Sequence, residues 1–181
     1  RGLGDVYKRQ GKISAICVTA GPGGINALNG VFGAYADSIP MLILSGQVRT
    51  DTLNSEKNLR QLGDQEAPIT KMVESITKYS KTITRKENIE YEIQKAISTL
   101  SNGRKGPVWI DIPIDIQGTE FKKTNKLFRE KKEISTNKEV EQIKILEKRL
   151  NESKRPLIIA GGGIRSSGST DQFRIFVNKL N

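Results

Sequence analysis

The stretch TAGPGGIN, at residues Thr19–Asn26, decides the fold of this chain. It follows the apolar run Ile13–Thr19 and precedes DSIP at residues 37–40 and LSGQV at residues 44–48. An apolar strand, a glycine-rich turn and a helix in succession are typical of a βα unit. Glycine permits close backbone approach, and the first amides of a helix are unpaired, so such a junction can receive an anion or the polar edge of a ring.

The rest of the chain alternates between short apolar runs and amphipathic segments, which predicts a parallel sheet with helices on both faces. Strands are predicted at Ile13–Thr19, Met41–Leu44, Pro107–Ile112 and Pro156–Ala160. Five helices are predicted from apolar residues at helical spacing. The first spans Gly24–Asp37, with Ile25, Leu28, Phe32 and Ala36 recurring, and a short one lies near Glu66–Val73. The third has Ile89, Ile93, Ala96, Ile97 and Leu100 on one face and ends at Asn102-Gly103, the fourth has Val140, Ile143, Leu146 and Leu150 on one face, and the fifth spans Thr170–Leu180.

Four segments divide the 181 residues. Residues 1–10 contain DVYKRQ, which resembles a translated adaptor from sequencing-library preparation, so we expect them not to belong to the protein and the natural N-terminal part to be missing. Residues 11–120 form a first α/β region. Residues 121–137 are polar and charged and predict an interdomain linker. Residues 138–181 predict the start of a second α/β domain.

Composition excludes several classes of function. No run approaches the roughly 18 apolar residues of a membrane span, so we expect a soluble, cytoplasmic protein without a membrane partner. Cys17 is the one cysteine, which excludes an intrachain disulfide and favours a small buried residue, and with no histidine there is no histidine base, triad or ligand. Of the net charge of +10, +6 lies within residues 121–155, which hold only two aromatic residues, so we expect no nucleic-acid partner.

A second glycine cluster, Gly161–Gly163, follows the predicted strand at Pro156–Ala160. Neither glycine cluster completes a dinucleotide fingerprint, because Asn26 and Ser166 stand where that pattern has its third glycine. Each cluster taken alone is equally compatible with a tight turn in an α/β sheet.

Several motifs in a fixed order are more specific than either glycine cluster. The chain from Gly11 onward resembles the acetolactate synthase group of thiamine diphosphate enzymes. The resemblance is carried by GPG with Asn26, by DSIP, SGQV, Gln65-Glu66, Ile76-Thr77-Lys78, Gly103-Arg104 with Gly106-Pro107-Val108, and by Asp111-Ile112-Pro113 with Asp115-Ile116. It implies that residues 11–120 are the C-terminal part of a pyrimidine-binding domain and that residues 138–181 begin the central domain.

The resemblance also implies which residues bind cofactors. Pro22, Asn26 and Gln65 correspond to positions beside the aminopyrimidine ring of thiamine diphosphate, and a glutamine amide can both donate and accept at the edge of that ring. Arg104 and Gly162 correspond to positions that contact FAD in flavin-containing members, and the guanidinium fork of Arg104 suits a diphosphate. Arg104 can equally be a surface charge in a turn, and Gln65 can be a solvated loop residue.

The resemblance implies 2-oxo acid decarboxylation and transfer of the two-carbon unit to a second carbonyl compound, with the cofactor as electron sink. The family's catalytic glutamate lies upstream of the glycine loop, and its Mg²⁺ and diphosphate motif lies beyond Asn181. We therefore assign no catalytic or metal-binding residue here, regard Glu66, Asp111 and Asp115 as structural, and expect this fragment to be inactive. A homodimer or homotetramer is implied, with a regulatory subunit left open as a further partner.

Two positions depart from the acetolactate synthase pattern. Ile114 replaces a lysine near the active-site entrance, and Asp64 replaces an aromatic residue before Gln65. Changes of this kind alter specificity more than fold. Another thiamine diphosphate-dependent carboligase or decarboxylase is therefore an alternative, and a non-catalytic α/β nucleotide-binding module is an alternative of a different class.

Overall fold

Four parallel strands form the sheet of a computed structural model that describes residues 12–54, 59–120, 128 and 137–180. They are β1 (Ser14–Val18), β2 (Met41–Gln47), β3 (Tyr79–Thr82) and β4 (Pro107–Pro113), in the order β1-β2-β4-β3. All three pairings are parallel, and Asp111 of β4 lies opposite Ser45 of β2 and Thr82 of β3. The predicted parallel sheet is confirmed, and β3, whose YSKT sequence lacks an apolar run, is the strand that the pattern did not reveal.

Helices connect these strands. The longer ones are α1 (Pro22–Ala36) and α3 (Ile89–Ser101), and the one-turn helices are α2 (Ile69–Met72) and α4 (Ile114–Gln117). Short 3₁₀ segments occupy Thr50–Thr52, Glu74–Ile76 and Lys86–Asn88. Pro22 starts α1 at the position where a missing N–H costs nothing. As predicted, α3 stops at Asn102-Gly103: Asn102 is its C-cap, and Gly103 takes the left-handed conformation with φ +54°.

The sheet carries a hydrophobic cluster on each face, which confirms helices on both sides. Alternate side chains of a strand point to opposite faces, so neighbouring residues of β2 and β4 divide between the two clusters. The first cluster contains Val31 of α1, Ile43, Ile69, Val73 and Trp109, and the second contains Ile83, Ala96 and Leu100 of α3, Val108 and Ile110.

Small residues bring α1 close to the sheet. Gly24, Val31 and Ala34 are its buried residues, and a Cβ on Gly24 would lie 3.2 Å from Ile69 and 3.4 Å from Trp109. The helix itself was predicted correctly. However, Ile25 and Phe32 of the recurring apolar set are 43% and 59% exposed, because the face with the smaller side chains packs against the strands.

The second part of the chain contains α5 (Asn137–Glu152), α6 (Gly163–Ser166) and α7 (Thr170–Asn178). The prediction of a strand at Pro156–Ala160 was wrong for this structure, in which these residues have no regular secondary structure. A strand requires a hydrogen-bonded neighbour, and no segment of the described chain pairs with these residues, so Leu157 and Ile159 are 87% and 89% exposed.

The chain divides into two compact units, Arg1–Glu130 and Lys131–Asn181. The division falls within the predicted linker at 121–137, most of which lies outside the described residues, as do residues 1–10. The assignment of these segments, and of 138–181 as the start of an α/β central domain, stays a prediction. In the described part of the chain, no helix combines the length and the apolar character needed to cross a membrane.

Candidate functional site at the carboxyl edge of the sheet

The loops that follow β1, β2 and β4 meet at the carboxyl edge of the sheet, where ligands bind in open parallel sheets. Gly21 is the N-cap of α1 with φ +54° and ψ −113°, a conformation that only glycine adopts readily. Pro22 follows as the first helical residue, and Asn26 lies one turn later. Both side chains are exposed.

Gln65 is placed directly beside this junction. A Cβ on Gly21 would lie 2.2 Å from the carbonyl oxygen of Gln65 and 3.3 Å from its Cβ. Gln65 has φ +59°, and its side chain is exposed. The structure therefore brings Gln65 together with the start of α1, which carries Pro22 and Asn26, although Gln65 lies 39 positions after Asn26 in the sequence.

Glu66 organises the loop that carries Gln65. Its Oε1 accepts a hydrogen bond from the backbone N–H of Asn54 at 2.6 Å, and its Oε2 accepts from those of Leu62 and Gly63 at 2.9 and 3.3 Å. Partial desolvation acts in the opposite direction, but these three donors hold the pKa of Glu66 below its usual value. Glu66 is thus an ionised acceptor that closes the loop on itself.

A buried hydrogen-bond network lies beneath the loop. The fully buried carboxylate of Asp111 accepts from Ser45 Oγ at 2.5 Å, Gln47 Nε2 at 3.0 Å and Thr82 Oγ1 at 3.2 Å. Trp109 Nε1 in turn donates to Ser45 Oγ at 2.7 Å. Burial raises the pKa of Asp111, and the three hydrogen bonds offset part of that rise.

Gln47 connects this network to the loop. Its Nε2 donates both to Asp111 and to the carbonyl oxygen of Ala67 at 3.0 Å, and its Oε1 accepts from the N–H of Val48 at 2.9 Å. Every polar atom of this buried side chain is therefore used, as buried amides require. The backbone two residues after Gln65 is anchored to the core of the sheet.

Asp115 ties α4, the short helix after β4, to the segment after β2. Its carboxylate accepts from the backbone N–H of Thr50 at 3.0 Å and from Thr50 Oγ1 at 2.5 Å. The hydroxyl bond contributes most to a lowered pKa of Asp115. Glu66, Asp111 and Asp115 thus all accept hydrogen bonds from within the fold, and their assignment as structural rather than catalytic stays a prediction. Within the described residues, no cluster of three or more His, Cys, Asp or Glu side chains is suited to a metal ion.

An open cavity of about 440 Å³ lies on the α3 side of the same edge. Its walls are mainly apolar, and Gln47 and Gln117 are among the residues that line it. The lining residues also include Cys17, Leu44, Ile112 and Ile114. Ile114, the residue that departs from the family pattern, is 61% exposed and stands at this cavity, whereas Cys17 is exposed rather than buried as the sequence suggested.

The two predicted FAD contacts, Arg104 and Gly162, belong to different compact units of the chain. Arg104 precedes β4 and donates from Nε to Ser38 Oγ at 2.7 Å, and Ser38 precedes β2, so this pair marks the amino edge of the sheet. Gly162 is exposed in the second unit, immediately before α6, and a Cβ there would meet no atom within 4 Å. Within the first unit, the structure does not place Arg104 with Pro22, Asn26 and Gln65.

Glu66, Gln47 and Asp111 hold the loop around Gln65 in place by hydrogen bonds, and the spacing of the motifs did not reveal these bonds. The detectable signal was their position inside the SGQV, Gln65-Glu66 and Asp111-Ile112-Pro113 motifs. What the sequence could not reveal is that the carboxylate of Asp111 and the amide of Gln47 meet across two strands.

Comparison with known proteins supports the resemblance. Residues 3–69 match the family described as thiamine pyrophosphate enzyme, N-terminal TPP binding domain, a match that begins within the first ten residues. The chain is 40% identical over 99% of its length to an acetolactate synthase large subunit of Buchnera aphidicola, covering 31% of that protein. It is 38% identical over 95% of its length to one of Lactococcus lactis and 31% identical over 94% to isozyme 3 of Escherichia coli, covering 29% of each. The chain therefore spans about a third of the length of these relatives.

The Gly21 contact can be tested by a pair of glycine substitutions. Gly21→Ala should lower the free energy of unfolding by about 1–3 kcal/mol, because the residue would be strained at positive φ and its methyl would collide with Gln65. Gly30→Ala, on an open face of α1, should raise it by about 0.5–1 kcal/mol. Urea unfolding of the 181-residue chain measures both. Equal effects of the two substitutions would contradict this account.

The buried carboxylate predicts an unusual pH dependence. At pH 7, Asp111→Asn should cost about 1–3 kcal/mol, since an amide cannot accept from all three donors. The folded pKa of Asp111 is raised, so the folded chain binds this proton more tightly than the unfolded chain does. As pH falls through that pKa toward about 3.9, the unfolded value, the wild type should gain stability relative to Asp111→Asn.

Urea unfolding between pH 7 and pH 4 measures that difference for the wild type and the variant. The control is Asp64→Asn, a substitution of an exposed carboxylate, whose free energy of unfolding should match that of the wild type at each pH. A stability difference between wild type and Asp111→Asn that stays constant or shrinks on acidification would show that the Asp111 pKa is not raised.

Proposed function

We propose that this chain, which belongs to the thiamine pyrophosphate enzymes and is homologous to acetolactate synthase large subunits, comes from an acetolactate synthase-like enzyme. That enzyme would decarboxylate a 2-oxo acid and transfer the two-carbon unit to a second carbonyl compound. The observation that carries the proposal is the contact between Gly21 and Gln65. Through this contact, three positions that the resemblance assigns to the cofactor lie at one edge of the sheet, within the matched residues 3–69.

Pro22, Asn26 and Gln65 are the residues that would hold thiamine diphosphate, and their surroundings fit its aminopyrimidine ring. Pro22 offers an exposed apolar surface beside a bare glycine backbone. In the described part of the chain, the side-chain amides of Asn26 and Gln65 have no hydrogen-bond partner. Each can therefore donate to and accept from the polar edge of a ring.

Bound thiamine diphosphate would supply the carbon nucleophile and the electron sink of the reaction. The residues of this chain would bind and orient it. Glu66, Asp111 and Asp115 are occupied by structural hydrogen bonds, so we assign none of them to proton transfer. The catalytic glutamate and the Mg²⁺ site would be supplied by parts of the protein outside this chain.

Ile114 bears on the choice of substrate. It presents an aliphatic side chain at the cavity where the family pattern has a lysine, and Asp64 adds a carboxylate next to Gln65. A missing cation weakens recognition of a substrate carboxylate, which favours a different acyl donor or acceptor. A related thiamine diphosphate-dependent carboligase or decarboxylase is therefore the second candidate.

The wider setting follows from the same relatives. Because their names describe a large subunit, we propose a regulatory small subunit as a partner, together with a homodimer or homotetramer in the cytoplasm. We also propose FAD as a second cofactor with Arg104 and Gly162 as contacts. Arg104 supports this because its guanidinium uses one N–H on Ser38 and has others to donate.

The reaction is tested on the complete protein. Pyruvate or a related 2-oxo acid should be consumed only when both thiamine diphosphate and Mg²⁺ are present, which a carbon dioxide release assay measures. Turnover that does not depend on the diphosphate would exclude the proposal. Binding without any turnover would favour the non-catalytic α/β module instead.

The flavin contact is tested separately on the purified, reconstituted complete protein. It should show flavin absorbance, and Arg104→Ala should weaken FAD binding by about tenfold, as expected for a lost charged hydrogen bond. Arg85→Ala is the matched control, because Arg85 is also exposed but follows β3 at the other edge of the sheet. Absence of flavin from the wild type, or equal affinity of the two variants, would exclude this role of Arg104.

A further inference from the structure

Gln65 has an uncommon backbone conformation. Among the described residues other than glycine, only Gln65 and Ser38 have positive φ, at +59° and +57°. A residue with a Cβ is disfavoured there and stays in that region when its surroundings impose it. Such conformations cluster at ligand sites, so the groups that impose this one on Gln65 are candidates for a role in binding.

One such group is the carboxylate of Glu66, which accepts hydrogen bonds from three backbone N–H groups. The carboxylate accepts from the N–H groups of Asn54, Leu62 and Gly63 and so links residue 54 to residues 62 and 63. In addition, the N–H of Glu66 donates to the carbonyl oxygen of Gly63 at 3.1 Å. These bonds close a tight turn over residues 63–66. Gly63 in turn packs on Val48, where a Cβ would lie 2.9 Å from the valine side chain.

The opposite side of Gln65 is held independently. Ala67 is buried, and its carbonyl oxygen accepts from Gln47. The chain is thus anchored two residues before and two residues after Gln65, at Gly63 and Ala67, and the carbonyl of Gln65 lies against Gly21. Release of the Glu66 anchor would free the turn while leaving Ala67 attached to the sheet.

We propose that Glu66 is a positioning residue for the cofactor: its carboxylate holds the 63–66 turn so that the Gln65 amide is presented beside Pro22 and Asn26. This inference rests on the proposed function, in which Gln65 contacts thiamine diphosphate. Glu66 does not touch the cofactor in this scheme. It acts through the backbone of its neighbour.

The first part of the proposal, that Glu66 fixes the backbone conformation of Gln65, is tested by NMR on the 181-residue chain without any cofactor. Glu66→Ala should remove the left-handed signature of Gln65 in its Cα shift and its HN–Hα coupling, and should increase hydrogen exchange at Asn54, Leu62 and Gly63. Amides of β2 and β4 should stay protected, which shows that the sheet remains folded. Glu66→Gln, which keeps one acceptor, should give an intermediate result.

The second part, that Glu66 thereby supports cofactor binding, is tested on the complete protein by titration calorimetry with thiamine diphosphate and Mg²⁺. Glu66→Ala should raise the Kd for thiamine diphosphate about tenfold or more, while kcat at saturating cofactor falls by a smaller factor. The control is Glu74→Ala, an exposed glutamate eight residues later, which should change neither quantity.

The outcomes separate the two proposals. If the wild type binds thiamine diphosphate and Glu66→Ala binds it equally well, the positioning role is wrong and the proposed function stands. A left-handed Gln65 that survives in Glu66→Ala also overturns the positioning role. A wild type that does not bind thiamine diphosphate overturns the proposed function and this inference together.

Discussion

The burial of one carboxylate constrains the whole carboxyl edge of the sheet. Asp111 is fully buried and has no cation beside it among the described residues, so its charge must be compensated by hydrogen-bond donors. Those donors come from β2 and β3, the two strands that flank β4. A shift of either strand by one residue would turn its donor to the opposite face. The register of three strands is therefore tied to a single side chain.

That constraint reaches the ligand edge through Gln47. One amide nitrogen donates to Asp111 in the sheet and to the carbonyl of Ala67 in the loop, so the position of the loop follows from the position of the strands. Glu66 closes the other part of the loop with three backbone bonds. The exposed amide of Gln65 thus projects from a segment fixed on both sides. Pre-organisation of this kind lowers the entropy lost when a ligand binds.

The sequence predicted the parallel sheet, α1, α3 and the glycine loop because apolar periodicity and glycine punctuation are local signals. It did not predict β3, whose Tyr79, Ser80 and Lys81 lack strand alternation and which is held by pairing with β4. Nor did it predict that α1 would bury Gly24 and Ala34 and expose Phe32, because that choice depends on the close approach of α1 to Trp109. For the site, motif order identified the residues, whereas the hydrogen bonds of Asp111 and Glu66 depend on tertiary contacts.

The two groups of predicted cofactor contacts in the first unit lie at opposite edges of one sheet. Gln65 is near the carboxyl ends of the strands, and Arg104 with Ser38 is near their amino ends. Seven residues of β2 separate these edges, a distance of about 20 Å at the rise of a parallel strand. Two ligands that far apart do not compete for the same atoms. A coupling between them would have to pass through β2 and β4, the strands whose register Asp111 fixes.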